Sequence, residues 1–166
     1  MTKAYSQRRG GELSCHEMKP VSRTSVAWLA GLMDGEAWFG LAFGDQSTLR
    51  ALIRVTMRDE RAVRRVARIA GCGRLLRRKP TPNGSPLLEW TAACGDAERV
   101  CRMVYRHLIV KREQAALILR SRKMQAKTKG RRLSEADHAS RVALRAEMWR
   151  LNRPWLGRGV TKFSAT

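Results

Sequence analysis

A chain of 166 residues and 18.8 kDa has room for one domain with a real core and not for two. Its 34 Lys and Arg against 14 Asp and Glu give a net charge of +20, while 43% hydrophobic residues and five Trp exclude a chain disordered throughout. Four Cys without a CxxC pair (Cys15, Cys72, Cys94, Cys101) exclude a disulfide scaffold, and Asp34 and Glu36 inside the most apolar stretch, 26–43, exclude a membrane span.

So large a single-sign charge asks for a polyanionic partner: DNA, RNA or an anionic membrane surface. Solubility alone does not require such a field. Arg outnumbers Lys, which favours forked contacts to phosphates and guanine edges. Residues 1–22 hold Arg8, Arg9, Gly10, Gly11 and Pro20 and read as a flexible basic arm. The arm lacks the apolar run of a secretory signal, and Glu12 and Glu17 interrupt a transit peptide. The expected location is therefore reducing: the cytoplasm for a bacterial or phage-encoded chain, or an organelle matrix, with reduced and packed thiols.

In chain order, Ser25 is placed to cap a helix over 26–36. Strict alternation follows, with Phe39, Leu41 and Phe43 on one face and Trp38, Gly40 and Ala42 on the other. Residues 44–47 read as a turn, and a second alternating run puts Ala51, Ile53 and Val55 opposite Arg50, Leu52 and Arg54. Asp59 opens a helix to Ala70 that ends at Gly71-Cys72-Gly73. Residues 74–79 form a third strand, 80–86 a loop and 87–93 a fourth strand. Asp96 opens a helix with Val100, Cys101, Val104 and Leu108 on one face, and another helix runs over 112–123. Residues 120–132, with seven Lys or Arg and no acid, read as a basic linker that either touches phosphates or stays solvated. Ser134 and Asp137 form a capping box for a last helix to Leu151. The order αββαββααα predicts an α+β domain: a four-stranded antiparallel sheet, helices on one face, arginines on the open one.

The first helix carries the chemistry. Gly31 and Gly35 stand four apart, one turn after Ala27, and make a smooth stripe that a second helix can approach closely. Each Gly costs about 1 kcal/mol relative to Ala inside a helix, and close packing offsets that. Asp34 and Glu36 lie at the negative end of the helix dipole, which disfavours carboxylates by about 0.3–1 kcal/mol. Acids placed there are either simply solvated or ligands for a hard cation such as Mg2+.

Leu29-Ala30-Gly31-Leu32-Met33-Asp34-Gly35-Glu36 resembles the LAGLIDADG motif of homing endonucleases, in its LAGLIDGEG variant. The likeness runs over about 26–152: the strand-strand-helix after the motif, Val55-Thr56 leading into a helix, Lys111-Arg112-Glu113-Gln114-Ala115 opening a late helix, and the closing Arg150-Leu151-Asn152. With one motif visible, the resemblance is to the single-motif, homodimeric branch. It implies a domain over 23–152 flanked by the arm, 1–22, and a basic tail, 153–166. It further implies a Mg2+-dependent, intron-encoded, site-specific double-strand endonuclease (Ca2+ or Mn2+ as substitute ions) for a long pseudo-palindromic target. Two chains would meet through Trp28, Gly31, Leu32, Asp34 and Gly35.

By the same resemblance Glu36 is the metal-binding acid and the Gly35 carbonyl a backbone ligand beside it. Arg61 and Lys111 match catalytic basic residues near the scissile phosphate, and Asp34 matches a structural position. Two positions depart from the pattern: Ala37 stands where Gly is usual, and Met57 where a polar residue commonly binds solvent. The reading face of the sheet is expected to hold Trp38, Gly40, Ala42, Arg50, Leu52, Arg54, Arg74, Leu76 and Arg78. Glu89 or Trp90 joins them from the last strand, Trp90 being the one assigned. Trp38 either touches DNA or packs on the helix. The alternative function is a catalytically weak or inactive DNA- or RNA-binding relative such as an intron maturase, with RNA as partner in that case only.

Overall fold

The computed structural model describes residues 21–44, 48–78 and 87–153, so the arm up to residue 20, the loop 80–86 and the tail after Arg153 lie outside the described residues. Helix α1 runs over Arg23–Glu36. Its cap is Ser22, whose hydroxyl accepts from the Ser25 amide at 3.2 Å, so the helix starts a turn earlier than a Ser25 cap predicts. Both serines are competent oxygens, and the upstream one adds a turn of helix. Strand β1, Ala37–Phe43, leaves α1 directly and pairs antiparallel with β2, Leu49–Met57, from Ala37 opposite Val55 to Phe43 opposite Leu49. At the hairpin end the Gly44 amide donates to the Thr48 carbonyl at 2.8 Å, and the rest of the expected turn, 45–47, is outside the described residues.

Helix α2, Glu60–Ala70, is capped by Asp59, which accepts from the Arg61 amide at 2.9 Å, and it ends on left-handed Gly71. Strand β3, Arg74–Arg78, and strand β4, Leu87–Ala93, complete an antiparallel sheet of order β1-β2-β4-β3. Gly73, at φ +87°, lets the chain turn into β3. A Cβ there would stand 2.6 Å from the Trp90 indole nitrogen and 2.8 Å from the Thr91 carbonyl.

Helix α3, Gly95–Val104, stops before Leu108, which is fully buried but lies beyond the helix. Helix α4 runs over Arg112–Lys127, so most of the expected linker 120–132 is helical. Ile118 and Ser121 stay buried while Arg120, Lys123 and Lys127 point outward, and that periodicity carries the helix on. Helix α5, Glu135–Asn152, opens with the expected Ser134/Asp137 capping box.

One core fills the space between sheet and helices: Leu29 and Met33 of α1, Phe39, Ile53 and Val55 of the hairpin, Val63 and Val66 of α2, and Val100, Val104 and Ile118 from the later helices. Each such side chain contributes about 1.5–3 kcal/mol by leaving water. Trp90 belongs to this core. The expected reading-face residue is fully buried, opposite Val55 in register, and its indole donates to the Cys72 carbonyl at 2.9 Å. Alternation within β4 therefore sends Glu89, not Trp90, to the open face. Burial pushes the Cys101 thiol up to about 12, with the Glu98 charge adding to it, which keeps the thiol inert. The Asn152 side chain donates to the Phe39 carbonyl at 2.8 Å and the Gln125 side chain donates to the Leu49 carbonyl, pinning α5 and α4 to the sheet.

Candidate nucleic-acid interface and acidic helix end

The open face is set by register. Trp38 stands opposite Arg54, Gly40 opposite Leu52 and Ala42 opposite Arg50, while Arg54 neighbours Thr91, Thr56 neighbours Glu89, and Arg74 and Leu76 of β3 face Thr91 and Glu89. Leu76 is 53% exposed and Trp38 42% exposed, so no helix of the described residues covers this side. Trp38 lies outward, with the Arg54 guanidinium 5.5 Å from its ring centre. Its indole roofs Gly40: a Cβ on Gly40 would meet it at 2.0 Å. Gly40 is buried as a result, so what the surface presents there is the indole. Arg50 and Arg74 are exposed.

Glu89 is the acid of this face, with its side chain 6% exposed. Its Oε2 accepts from Arg78 Nε at 3.0 Å and from the Thr56 hydroxyl at 3.2 Å, and its Oε1 from Arg78 Nη2 at 2.8 Å and the Thr91 hydroxyl at 3.0 Å. Arg54 Nε lies 3.4 Å away as an ion pair. Burial is the largest influence on the carboxyl and pushes it up; the hydrogen bonds from Arg78 and Thr91 and the charges of Arg54 and Arg78 together outweigh it and hold the group below its ordinary value.

The acidic end of α1 divides its two carboxylates between two tasks. Asp34 turns inward to the segment before α4: Oδ2 accepts from the Ile109 amide at 2.8 Å, and Oδ1 from the Val110 and Lys111 amides at 3.1 and 2.8 Å. It thereby fixes the residue at the N-cap of α4, Lys111. Glu36 is exposed and, among the described residues, has no hydrogen-bond or ion-pair partner. The helix ends at Glu36, so the Gly35 carbonyl has no amide four residues on within α1 to receive. A lone carboxylate and a neighbouring carbonyl are the oxygen donors a hard cation takes, with water completing its shell. No group of three or more His, Cys, Asp or Glu gathers among the described residues, so one chain offers an open donor pair and not a closed cage.

Arg61, also expected at the scissile phosphate, is exposed and bound to Asp59 through Nε at 3.1 Å and Nη2 at 2.9 Å. That hydrogen bond holds the Asp59 carboxyl below its ordinary value. Arg77 pairs with Glu60 at 2.6 Å. Met57 is packed against the core, Thr56 is committed to Glu89, and Arg58 is exposed. On α1, Ala27, Gly31 and Gly35 form an exposed row, and a Cβ on either glycine meets nothing within 4 Å. Trp28 and Leu32 flank the row half-buried, and the Arg65 guanidinium stacks 4.2 Å from the Trp28 ring centre.

No family model matches this sequence, and no curated protein is similar to it. Solved structures are. The homing endonuclease I-CvuI in complex with the I-CreI target superposes with TM-score 0.64 at 19% identity, over 86% of this chain and 87% of that one. The archaeal intron-encoded homing endonuclease I-Vdi141I complexed with DNA gives 0.65 at 14% identity, over 85% and 89%. The LAGLIDADG meganuclease I-AabMI bound to uncleaved DNA gives 0.59 at 16%, over 78% of this chain but 48% of that one. The motif helix running straight into a hairpin, the sheet order and the helical layer on one face are thus those of solved nucleases, and the chain has the LAGLIDADG homing-endonuclease fold.

Proposed function

We propose that this protein is a site-specific double-strand DNA endonuclease of the homing type, intron-encoded, that works as a homodimer with Mg2+. The observation that carries the reading is the Glu36 carboxylate, unpaired among the described residues, at the tip of a helix that leads directly into an open, arginine-bearing sheet. The single α1 motif and the half-length match to I-AabMI support two chains as the working unit. The bare Ala27-Gly31-Gly35 row supplies an isologous contact about a two-fold axis. Each protomer would then bring one Glu36 to the centre of a duplex lying along two sheets.

Glu36 and the Gly35 carbonyl would hold the cation. When bound, such an ion supplies activation of water and charge neutralisation at the scissile phosphate. Lys111, kept in place by the Asp34 clamp, brings a positive charge for the developing phosphate charge, and Arg61 does the same once it exchanges Asp59 for the DNA backbone. Arg50 and Arg74 supply forks for phosphates and base edges along the open face.

The test is cleavage of the uninterrupted insertion site, or of a randomised duplex pool, by the purified chain. The expected result is a double-strand cut with short 3′ overhangs in Mg2+, reduced at least roughly a thousandfold in Glu36→Gln, which still binds the duplex in Ca2+. A wild-type chain that cuts nothing, or a Glu36→Gln variant as active as wild type, overturns it. One observation favours a second reading. Met57 turns its thioether to the core, and Thr56 is occupied by Glu89, so neither offers solvent a polar group beside the acid. A catalytically weak relative, such as an intron maturase, would bind its intron RNA tightly and leave DNA uncut.

A further inference from the structure

An acid buried on a surface built to face phosphates is costly unless its charge has a task there. We propose that Glu89 is a specificity-positioning residue that holds Arg54 and Arg78 by their inner edges, so that both guanidinium ends point outward as guanine readers. The proposal rests on the DNA-endonuclease reading above.

A carboxylate offers about four lone-pair sites. Arg78 Nε, Arg78 Nη2, Thr56 and Thr91 occupy them at 2.8–3.2 Å. With Arg54 Nε also pressed against Oε2 at 3.4 Å, no acceptor remains for a cytosine amino group. Glu89 therefore reads no base itself.

The arginines are a different matter. Arg78 spends Nε and Nη2, the edge of its fork, on Glu89. Nη2 lies 2.8 Å from both Glu89 oxygens, so Nη1, which makes no hydrogen bond among the described residues, is the end left to face the O6/N7 edge of guanine. Arg54 has its Nε buried and without a hydrogen bond, and its plane is braced by the Trp38 indole on the other side. Its terminal nitrogens are again what remains to face outward. The two side chains are 44% and 40% exposed, half in the surface and half out of it.

Two cations sharing one acid carry a net of one charge, which weakens their pull on any passing phosphate and leaves directional hydrogen bonding as their advantage. The arginines stand on β2 and β3 with Glu89 on β4 between them, so one carboxylate sets two readers across three strands. The hydroxyls of Thr56 and Thr91 stop the carboxylate from rotating, which a bare ion pair would allow.

The test is selection from a randomised duplex pool by wild type, Glu89→Gln and Arg78→Lys, each bound in Ca2+, followed by affinity at several salt concentrations. Wild type is expected to select guanine at two positions of each half-site. Glu89→Gln should lose roughly tenfold or more of that preference at both positions, because the freed arginines turn to phosphates. The slope of log affinity against log salt should steepen by about one or two per protomer. Arg78→Lys, which keeps the charge and loses the fork, should lose one of the two preferences. A Glu89→Gln variant that only melts earlier, with unchanged guanine preference and salt slope, overturns the proposal and leaves the endonuclease reading standing. A wild-type chain that selects no sequence overturns both.

Discussion

Removing the Asp34 carboxylate should loosen the segment that carries Lys111, and the size of the effect follows from its three bonds. Two of the amides it holds, Ile109 and Val110, are exposed, so water replaces the lost acceptor and each bond is worth about 0.5–1 kcal/mol. The Lys111 bond is partly buried and involves a charged acceptor, worth about 1.5 kcal/mol. Asp34 also lies at the negative end of α1 and the positive end of α4, two dipole contributions that offset each other. Asp34→Ala should therefore cost about 3 kcal/mol. At a urea m-value of about 2 kcal/mol/M the midpoint falls by about 1.5 M. Asp34→Asn keeps one neutral acceptor and should lose about half as much. Hydrogen exchange adds a local readout: protection of the amides at 109–111 should drop in both variants, and more in Asp34→Ala. Midpoints within about 0.3 M of wild type with unchanged protection would refute the clamp.

Other substitutions separate the remaining claims. Gly31→Leu should leave the single chain folded, since its side chain meets open space, while abolishing both dimer formation in sedimentation and double-strand cleavage; a stable, active Gly31→Leu dimer would refute the shared helix row. Gly73→Ala should lose about 2–3 kcal/mol in denaturant titration, because Cβ meets the Trp90 indole and the Thr91 carbonyl at a positive φ. Glu89 has a folded-state pKa below the ordinary 4.5, so its contribution is present above that pH and is lost as pH falls through the lower folded value. The acid limb of a stability–pH curve should accordingly be shallower in Glu89→Gln than in wild type; equal limbs would contradict the carboxylate's network.

The element order and the division of the hairpin into a core face and an arginine face were readable, because alternation in β1 and β2 is strict. The fourth strand was not, since Glu89 and Trp90 both satisfy alternation until pairing with Val55 settles which faces inward. The acids of α1 were visibly out of place, and the resemblance already set Asp34 apart as structural, but its partners were hidden: the amides that occupy it begin 75 positions downstream, a distance no local pattern spans. The extent of α4 was hidden for a related reason. Its last turns are rich in charge, and only packing against α5 and the sheet shows that one face of them stays buried. Glu89 itself stood in the sequence as one of two candidates, and nothing local marks it as the meeting point of three strands.

Strand β3 contributes no buried residue: all five of its positions are exposed, on the rim of the sheet. Its arginines discourage a second sheet from zipping onto that rim. Since none of its side chains fills the interior, its exposed positions other than Arg78, which Glu89 holds, can change while the scaffold beneath keeps its shape.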